Sequence, residues 1–190
     1  FLFLISFTHI PAVKTLMNSF YSTGRGKRPS KFVGFDNYEV LWNDTTFWQV
    51  FSNNIIYAFV VIPTSILLSL AMALWVNSKI IGRPFLRFSY FLPTVLPLIA
   101  VGNIWLFFYA PGFGLIDQVA TSLGFKSLNI LGSQETALWG VMAVGIWKEA
   151  GFYMIFYLAG LQAIPPDLKE AAMIEGANKW YIFWRITFPL

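Results

Sequence analysis

The sequence predicts an all-α fold, a polytopic bundle of transmembrane helices, from its composition and from the length of its apolar stretches. Of the 190 residues, 57% are hydrophobic and 12% are charged, whereas soluble domains contain about 25% charged residues. The mean hydropathy is +0.62. The net charge of +4 fits basic residues that flank membrane spans, so a nucleic-acid partner is excluded and the lipid bilayer is the expected environment.

Four membrane spans are predicted, over about residues 1–20, 55–76, 88–109 and 137–161. The second has 22 residues without a charge, and as a helix it would be about 33 Å long, enough to cross a hydrocarbon core of about 30 Å. Pro93 and Pro97 must kink or begin the third, because each lacks a backbone donor. The chain begins inside an apolar run without an initiator methionine, so we expect a fragment with an incomplete first span.

Two connecting segments carry recognisable patterns. Residues 21–52 form a loop, and its aromatic and acidic stretch 34–42 is expected at the membrane interface because Trp and Tyr prefer headgroup level. Between the third and fourth spans, apolar residues recur at helical spacing, and Gly124 can end the helix. This pattern predicts a short amphipathic helix on the membrane surface, formed around Leu115, Ile116, Val119 and Leu123.

Basic residues indicate which ends of the spans face the cytoplasm. The segment between the second and third spans carries Lys79, Arg83 and Arg87 within nine residues, and such density is typical of cytoplasmic loops. The longer loop before the second span has four basic residues mixed with acids, namely Arg25, Lys27, Arg28 and Lys31. Density favours the short loop as cytoplasmic. Because successive spans cross the membrane in opposite directions, the segment after Leu161 is then expected in the cytoplasm and residues 112–135 outside.

Residue usage excludes several kinds of catalytic and metal site. The chain has no cysteine and a single histidine, His9, so a thiolate zinc site, a cysteine nucleophile, a multi-histidine metal site and a histidine-based triad cannot form within it. The phosphate-loop pattern G-x-x-x-x-G-K-S/T is also absent, so any ATP must be bound by another subunit. We therefore predict no catalytic, cofactor-binding or metal site.

A helical hairpin is predicted after the fourth span. Pro165 and Pro166 fit the first turn of a helix, which needs no backbone donor, Asp167 suits the positive end of the helix dipole, and Gly176 can end the helix. The three acidic and three basic residues of the hairpin balance, which favours pairing with a specific partner over binding to anionic lipid. A second short helix follows, with one side marked by Trp180, Phe183, Trp184 and Thr187.

The hairpin contains a spaced set of residues, Glu170-Ala-Ala172, Gly176, Ile186 and Phe188-Pro189. This set resembles the EAA loop of the inner-membrane permease subunits of bacterial ABC importers, in which E-A-A is followed by G, I and L-P at the same spacing. Glu175 stands where Asp is common, and Phe188 stands where Leu is common. Upstream, residues 34–38 and 158–165 are similar to the carbohydrate branch of these permeases, which includes sugar and glycerol-phosphate permeases.

The resemblance implies a type I ABC importer permease, a transport subunit rather than an enzyme. Such permeases usually have six core spans, of which this chain would hold four. The permease would pair with a second permease subunit, dock two cytoplasmic ATP-binding subunits, and receive a sugar or sugar-like solute from a periplasmic or lipid-anchored binding protein. It would lie in the inner membrane of a bacterial or archaeal cell. The alternatives are an ABC permease for amino acids, peptides or another solute class, and a non-ABC channel or structural membrane subunit.

The same resemblance assigns roles within the hairpin. The helix from Pro165 to Gly176 would transmit closure of the ATPase subunits to the spans as a rigid element. Glu170 would offer a carboxylate to a basic residue of the ATPase, and two adjacent alanines would allow close packing. The predicted coupling residues are Glu170, Ala171, Ala172, Glu175, Gly176 and Ala177.

Lys148 and Glu149 lie in the middle of the fourth span, where a charge costs roughly 2.5 to 3.5 kcal/mol on insertion scales. As neighbours on a helix they point about 100° apart and cannot pair well with each other. Each must therefore contact a neighbouring span, line the solute path or lie near an interface. Polar and aromatic side chains that could stack on or bond to a sugar are Asn103, Trp105, Trp147 and Tyr153, although packing roles remain open for all four.

Overall fold

The computed structural model describes residues 2–22, 30–78 and 81–190. Within these ranges the chain forms helices and loops, with one isolated bridge between Tyr21 and Phe32 and no strand. The predicted all-α class is confirmed. Four basic residues used in the orientation argument lie outside the described residues: Arg25, Lys27, Arg28 and Lys79.

The helices are numbered in chain order. Helix α1 consists of the consecutive segments Leu2–Leu4, Ile5–His9 and Ile10–Asn18, of which the middle one is π-helical. The next are α2 (Asp36–Trp42), α3 (Thr45–Asn77), α4 (Arg83–Val95), α5 (Leu98–Phe108) and α6 (Leu115–Ser122). The last are α7 (Ala137–Ala163), α8 (Pro166–Ile174) and α9 (Lys179–Ile182), which continues into the π-helical turn Phe183–Thr187.

The chain divides into two compact units, Phe1–Ile55 and Ile56–Leu190. In the first unit, α2 is bonded to the end of α1. The hydroxyls of Tyr38 and Ser19 are 2.6 Å apart, and the Asn37 side-chain amide donates to the Ser19 carbonyl at 2.7 Å. The stretch 34–42 was expected to be loop and is instead largely helical, because Asp36 lies in the first turn of α2, where a negative charge favours a helix.

Helices α3 and α7 are each long and apolar enough to cross a membrane. Tyr57 in α3 lies against Gly145 in α7. Further along both helices, Ala73 and Val76 of α3 share a core with Met154 and Leu158 of α7. Contacts therefore advance in the same direction along both helices, so the two run parallel. Parallel α3 and α7 agree with the predicted order, in which one span separates them.

The predicted third span is a bent pair of helices. Helices α4 and α5 meet at an angle of 101°. The break falls at Leu96 and Pro97, because a residue before proline is pushed into extended geometry, and Leu96 has φ −66° and ψ 133°. Pro93 lies inside α4 without ending it. The chain thus has two membrane-spanning candidates in its described residues, or three if this pair is one broken span, and the arrangement of four spans stays a prediction.

Helices α4 and α7 pack closely at a glycine. A Cβ atom built on Gly151 would overlap the carbonyl oxygen of Tyr90, so only glycine lets the two backbones approach this far. One turn along, the Thr94 hydroxyl donates to the Lys148 carbonyl at 3.2 Å. These contacts join α4 and α7 into one body.

A buried carboxylate organises the segment between α5 and α7. Asp117 on α6 is 3% exposed and accepts bonds from the backbone N–H groups of Leu128 and Gly112, at 2.6 and 2.7 Å, and from the Ser127 hydroxyl. Chiefly because of the Leu128 and Gly112 bonds, the pKa of Asp117 lies below its usual range. The predicted helix around residues 115–123 is confirmed, with Gly124 at φ +86° just beyond it. The Asp117 carboxylate therefore joins the turn at Gly112 to the chain at Leu128.

Candidate coupling hairpin and membrane cavity

The hairpin after α7 is closed by a complete Schellman turn. The Ala177 N–H donates to the Ala172 carbonyl at 2.9 Å, and the Gly176 N–H donates to the Met173 carbonyl at 3.1 Å. This turn requires a left-handed residue after the helix, and Gly176 has φ +83°. The Asn178 side chain then accepts a bond from the Tyr181 N–H at 2.8 Å and caps α9. Hydrogen bonds therefore hold the turn on both sides, at the end of α8 and at the start of α9.

The predicted coupling residues divide between two surfaces of this hairpin. Glu170, Ala171, Glu175 and Gly176 are exposed, and Ala177 is half-buried. Ala172 is 9% exposed and Ile182 of α9 is 8% exposed, so both side chains are buried within the chain. Of the two alanines, only Ala171 is therefore free to meet a partner.

The hairpin lies at the end of the helix bundle where α3 finishes. Ile164, just after α7, belongs to the core that contains Ala73 and Val76, and Lys169 and Met173 line a cleft with Asn77. The start of the short loop after α3 and the hairpin are thus at the same end of the bundle. This agrees with the predicted topology, in which both face the cytoplasm, while the side of the membrane stays a prediction.

A cavity of about 370 Å³ lies between α5, α7 and Tyr57 of α3. Lys148 and Glu149 both line it and are half-buried. Among the described residues no ion pair holds either group within 4.0 Å. Trp105 also lines the cavity, and its buried indole N–H has no hydrogen-bond partner in the described part of the chain. The remaining wall is mostly apolar, so the cavity offers a few polar groups in an apolar setting, as many small-molecule sites do.

The other predicted path residues lie outside this cavity lining. Asn103 is exposed, and Trp147 and Tyr153 are 37% and 36% exposed. Trp147 packs edge-to-face against Trp105, with ring centroids 5.5 Å apart, so it contacts a residue of the wall without lining the cavity.

Sequence reasoning named Lys148, Glu149 and Trp105 but missed the rest of the cavity wall, including Tyr57 and Gly145. The Tyr57 hydroxyl contacts Gly145 so closely that a Cβ on Gly145 would collide with it. The signal was present in the sequence, because a glycine inside a membrane helix often marks a close helix approach. The partner across that approach could not be read from the sequence, since it lies on another helix.

The family model described as binding-protein-dependent transport system inner membrane component matches residues 65–190. The chain belongs to this family. The resemblance drawn from the hairpin is thereby confirmed, and the permease is an integral membrane component of a transport system.

Curated relatives match most or all of this chain. The osmoprotective compounds uptake permease protein GgtC of Synechocystis sp. is 34% identical, and the match covers 100% of this chain and 68% of that protein. The trehalose/maltose transport system permease protein MalF of Thermococcus litoralis is 35% identical, over 84% of this chain and 54% of that protein. The chain thus spans between about half and two thirds of the length of these relatives.

A solved structure supports the same fold. A chain of a bacterial ABC transporter involved in the import of the acidic polysaccharide alginate matches the permease with a TM-score of 0.84 at 25% identity. The match covers 99% of this chain and 63% of that one. The helical arrangement described above is therefore that of an ABC transporter permease.

Proposed function

We propose that this permease forms part of the translocation path of an ATP-driven importer for a sugar or sugar-like solute. It acts with a second permease subunit in the inner membrane of a bacterial or archaeal cell, and a periplasmic or lipid-anchored binding protein delivers the solute. The names of relatives such as the trehalose/maltose permease support the solute class. The family description supports the dependence on a binding protein.

The observation that carries the proposal is the closed hairpin with one face free. Ile182 is buried and lines the same cleft as Leu74 of α3 and Leu161 of α7, while Glu170 and Ala171 are exposed. A stiff element fastened on one side and exposed on the other can pass a displacement from a bound subunit to the helices. Two cytoplasmic ATP-hydrolysing subunits would bind this face, and ATP hydrolysis would take place on them.

The cavity is the proposed location of a solute contact. Lys148, Glu149 and the Trp105 indole N–H supply hydrogen-bonding groups, and the aromatic rings supply flat apolar faces. Sugars present hydroxyls at their edges and apolar C–H faces, so this combination suits them. Asn103, Trp147 and Tyr153 remain candidate path residues in the assembled transporter.

The test is solute-stimulated ATP hydrolysis by the assembled transporter in proteoliposomes with its loaded binding protein. Glu170→Lys should reduce both stimulated hydrolysis and retention of the ATPase subunits, because it places a positive charge opposite a basic partner. Glu135→Lys is the matched control, since Glu135 is exposed in the segment between α6 and α7. Normal hydrolysis and normal ATPase retention in Glu170→Lys would count against the proposal. Stimulation by amino acids or peptides but not by sugars would overturn the solute class alone.

Lys148→Met tests the cavity separately. Lys148 is half-buried and lacks a carboxylate within 4.0 Å among the described residues, so its removal should leave abundance and assembly unchanged. The apparent affinity for the transported sugar should fall about five- to thirtyfold, as expected for one or two kcal/mol of lost polar contact. Unchanged uptake kinetics would remove Lys148 from the path.

A further inference from the structure

Two lysines converge on a cleft of about 270 Å³ between the hairpin and the end of α3. Lys169 comes from α8 and Lys179 from the start of α9, and Asn77 and Thr187 add polar groups to the wall. Most of the other lining is apolar and includes Leu74 of α3. The coupling role described above uses Glu170 and Ala171, which do not line this cleft, so the cleft is left without a function.

The charges of the hairpin are separated between its two faces. Lys169 is half-buried and Lys179 is exposed, and both line the cleft, whereas Asp167 and Glu170 do not. Asp167 and Glu170 are displaced from Lys169 around α8 by the helical turn of about 100° per residue. No carboxylate lies within 4.0 Å of either lysine among the described residues. The hairpin is neutral as a whole, yet its cleft side is cationic.

The position of the cleft relative to the membrane indicates which kind of ligand can reach it. Asn77 is the last residue of α3, and the core at Ile164 closes the same end of α7, so the cleft lies at the level where the helices leave the membrane. It opens on the side of the hairpin that faces those helices. Leu74 and Asn77 of α3 line the cleft, so a lipid beside the end of α3 would reach it.

We propose that this cleft binds the headgroup of an anionic phospholipid of the adjacent leaflet. Lys169 and Lys179 would contact the phosphate, Asn77 and Thr187 would bond to its oxygens or to the glycerol hydroxyls, and the apolar wall around Leu74 would receive the upper part of an acyl chain. Basic pockets at helix ends on the cytoplasmic side recognise such headgroups. The proposal rests on the chain crossing the membrane and is independent of the solute and of ATP coupling.

Native mass spectrometry of the purified full-length transporter, delipidated and titrated with dioleoylphosphatidylglycerol or dioleoylphosphatidylcholine, tests this site. Each lysine near an anionic headgroup contributes about 1 kcal/mol, so removing one should weaken phosphatidylglycerol binding about fivefold. The double variant Lys169→Gln/Lys179→Gln should weaken it about thirtyfold, while phosphatidylcholine binding stays unchanged. Lys169→Arg/Lys179→Arg keeps the charge and should retain the lipid. Lys126→Gln, in the exposed segment after α6, is the control for total charge.

Three results would overturn the proposal. The first is equal phosphatidylglycerol binding in the double glutamine variant and in Lys126→Gln. The second is displacement of the lipid by glycerol phosphate alone at the same concentration, which would identify a soluble phosphate as the ligand. The third is loss of the ATPase subunits from the double variant with unchanged lipid binding, which would make the cleft a protein contact. Failure of sugar uptake, by contrast, would affect only the proposed function.

Discussion

Substitutions at Gly176 should weaken the binding of the ATPase subunits to the hairpin, by an amount that depends on the new side chain. The Gly176 φ of +83° costs a residue with a Cβ atom about 1–2 kcal/mol. A Cβ built there meets nothing within 4 Å, so steric collision adds nothing and the cost is that of the backbone alone. Gly176→Ala should therefore shift the turn five- to thirtyfold toward open conformations. Gly176→Asn should shift it less, because Asn enters this region more readily.

The assay is the affinity of the assembled permease for its ATPase subunits, measured by titrated co-purification together with solute-stimulated hydrolysis. The expected order of affinity is wild type, Gly176→Asn, Gly176→Ala and Gly176→Val, the last being weakest because a branched side chain restricts the backbone further. Gly160→Ala is the matched control. Gly160 lies in α7 with nothing within 4 Å of a built Cβ, so alanine should be neutral or slightly stabilising there.

Two outcomes would refute this reasoning. Wild-type affinity in both Gly176→Ala and Gly176→Val would show that the left-handed turn does not position the coupling face. Equal damage from Asn and Val would show that the loss comes from the side chain and not from the backbone.

Three further predictions concern packing, protonation and topology. Gly151→Ala should destabilise the permease by about 1–3 kcal/mol, because its Cβ would overlap the Tyr90 carbonyl; thermal unfolding in detergent measures this. Asp117→Asn should loosen the segment between α5 and α7, as seen in protease cleavage. In the wild type, the lowered pKa of Asp117 means that its stabilisation is complete above the ordinary carboxyl pKa and is lost as pH falls through the lowered value. Ser122→Cys should react with an impermeant thiol reagent in intact cells, and Asn178→Cys should be protected.

Each of these has its own contrary result. A melting temperature for Gly151→Ala equal to that of Gly160→Ala would mean that α4 and α7 can separate without cost. If protease cleavage of the wild type does not increase at low pH, or if it equals that of Asp117→Asn at neutral pH, the carboxylate does not stabilise the segment between α5 and α7. Labelling at Asn178 with protection at Ser122 would invert the topology and would remove the coupling role with it.

The features predicted correctly from the sequence are those encoded locally. The start of α8 at Pro166, its termination just before Gly176 and the helix that precedes Gly124 all follow from residues that restrict or permit backbone geometry at one position. Pro97 likewise predicted a break. Its angle of 101° could not be predicted, because it depends on what packs on either side of the proline.

Features that depend on contacts between distant parts of the chain were not predictable. Tyr57 and Gly145 are far apart in sequence and meet only because α3 and α7 pack against each other at this point. Nothing in the local sequence singled out Asp117, which is buried where two backbone N–H groups from flanking turns converge on its carboxylate. The division of Ala171 and Ala172 between two surfaces depends on where α8 meets the bundle, which the spacing of a motif does not specify.

Helix α5 begins at the bend at Pro97, and a hydrogen bond to α7 holds its other end. Its far end is held by the Tyr109 hydroxyl, which donates to the Gly140 carbonyl of α7 at 3.0 Å. The eleven residues of α5 give an arm of about 16 Å, so a swing of about 10° would carry its tip about 3 Å. That distance breaks a hydrogen bond outright. Movement of the cavity wall that α5 contributes would therefore require this one hydrogen bond to break. Tyr109→Phe removes the bond and would leave this end of α5 without it.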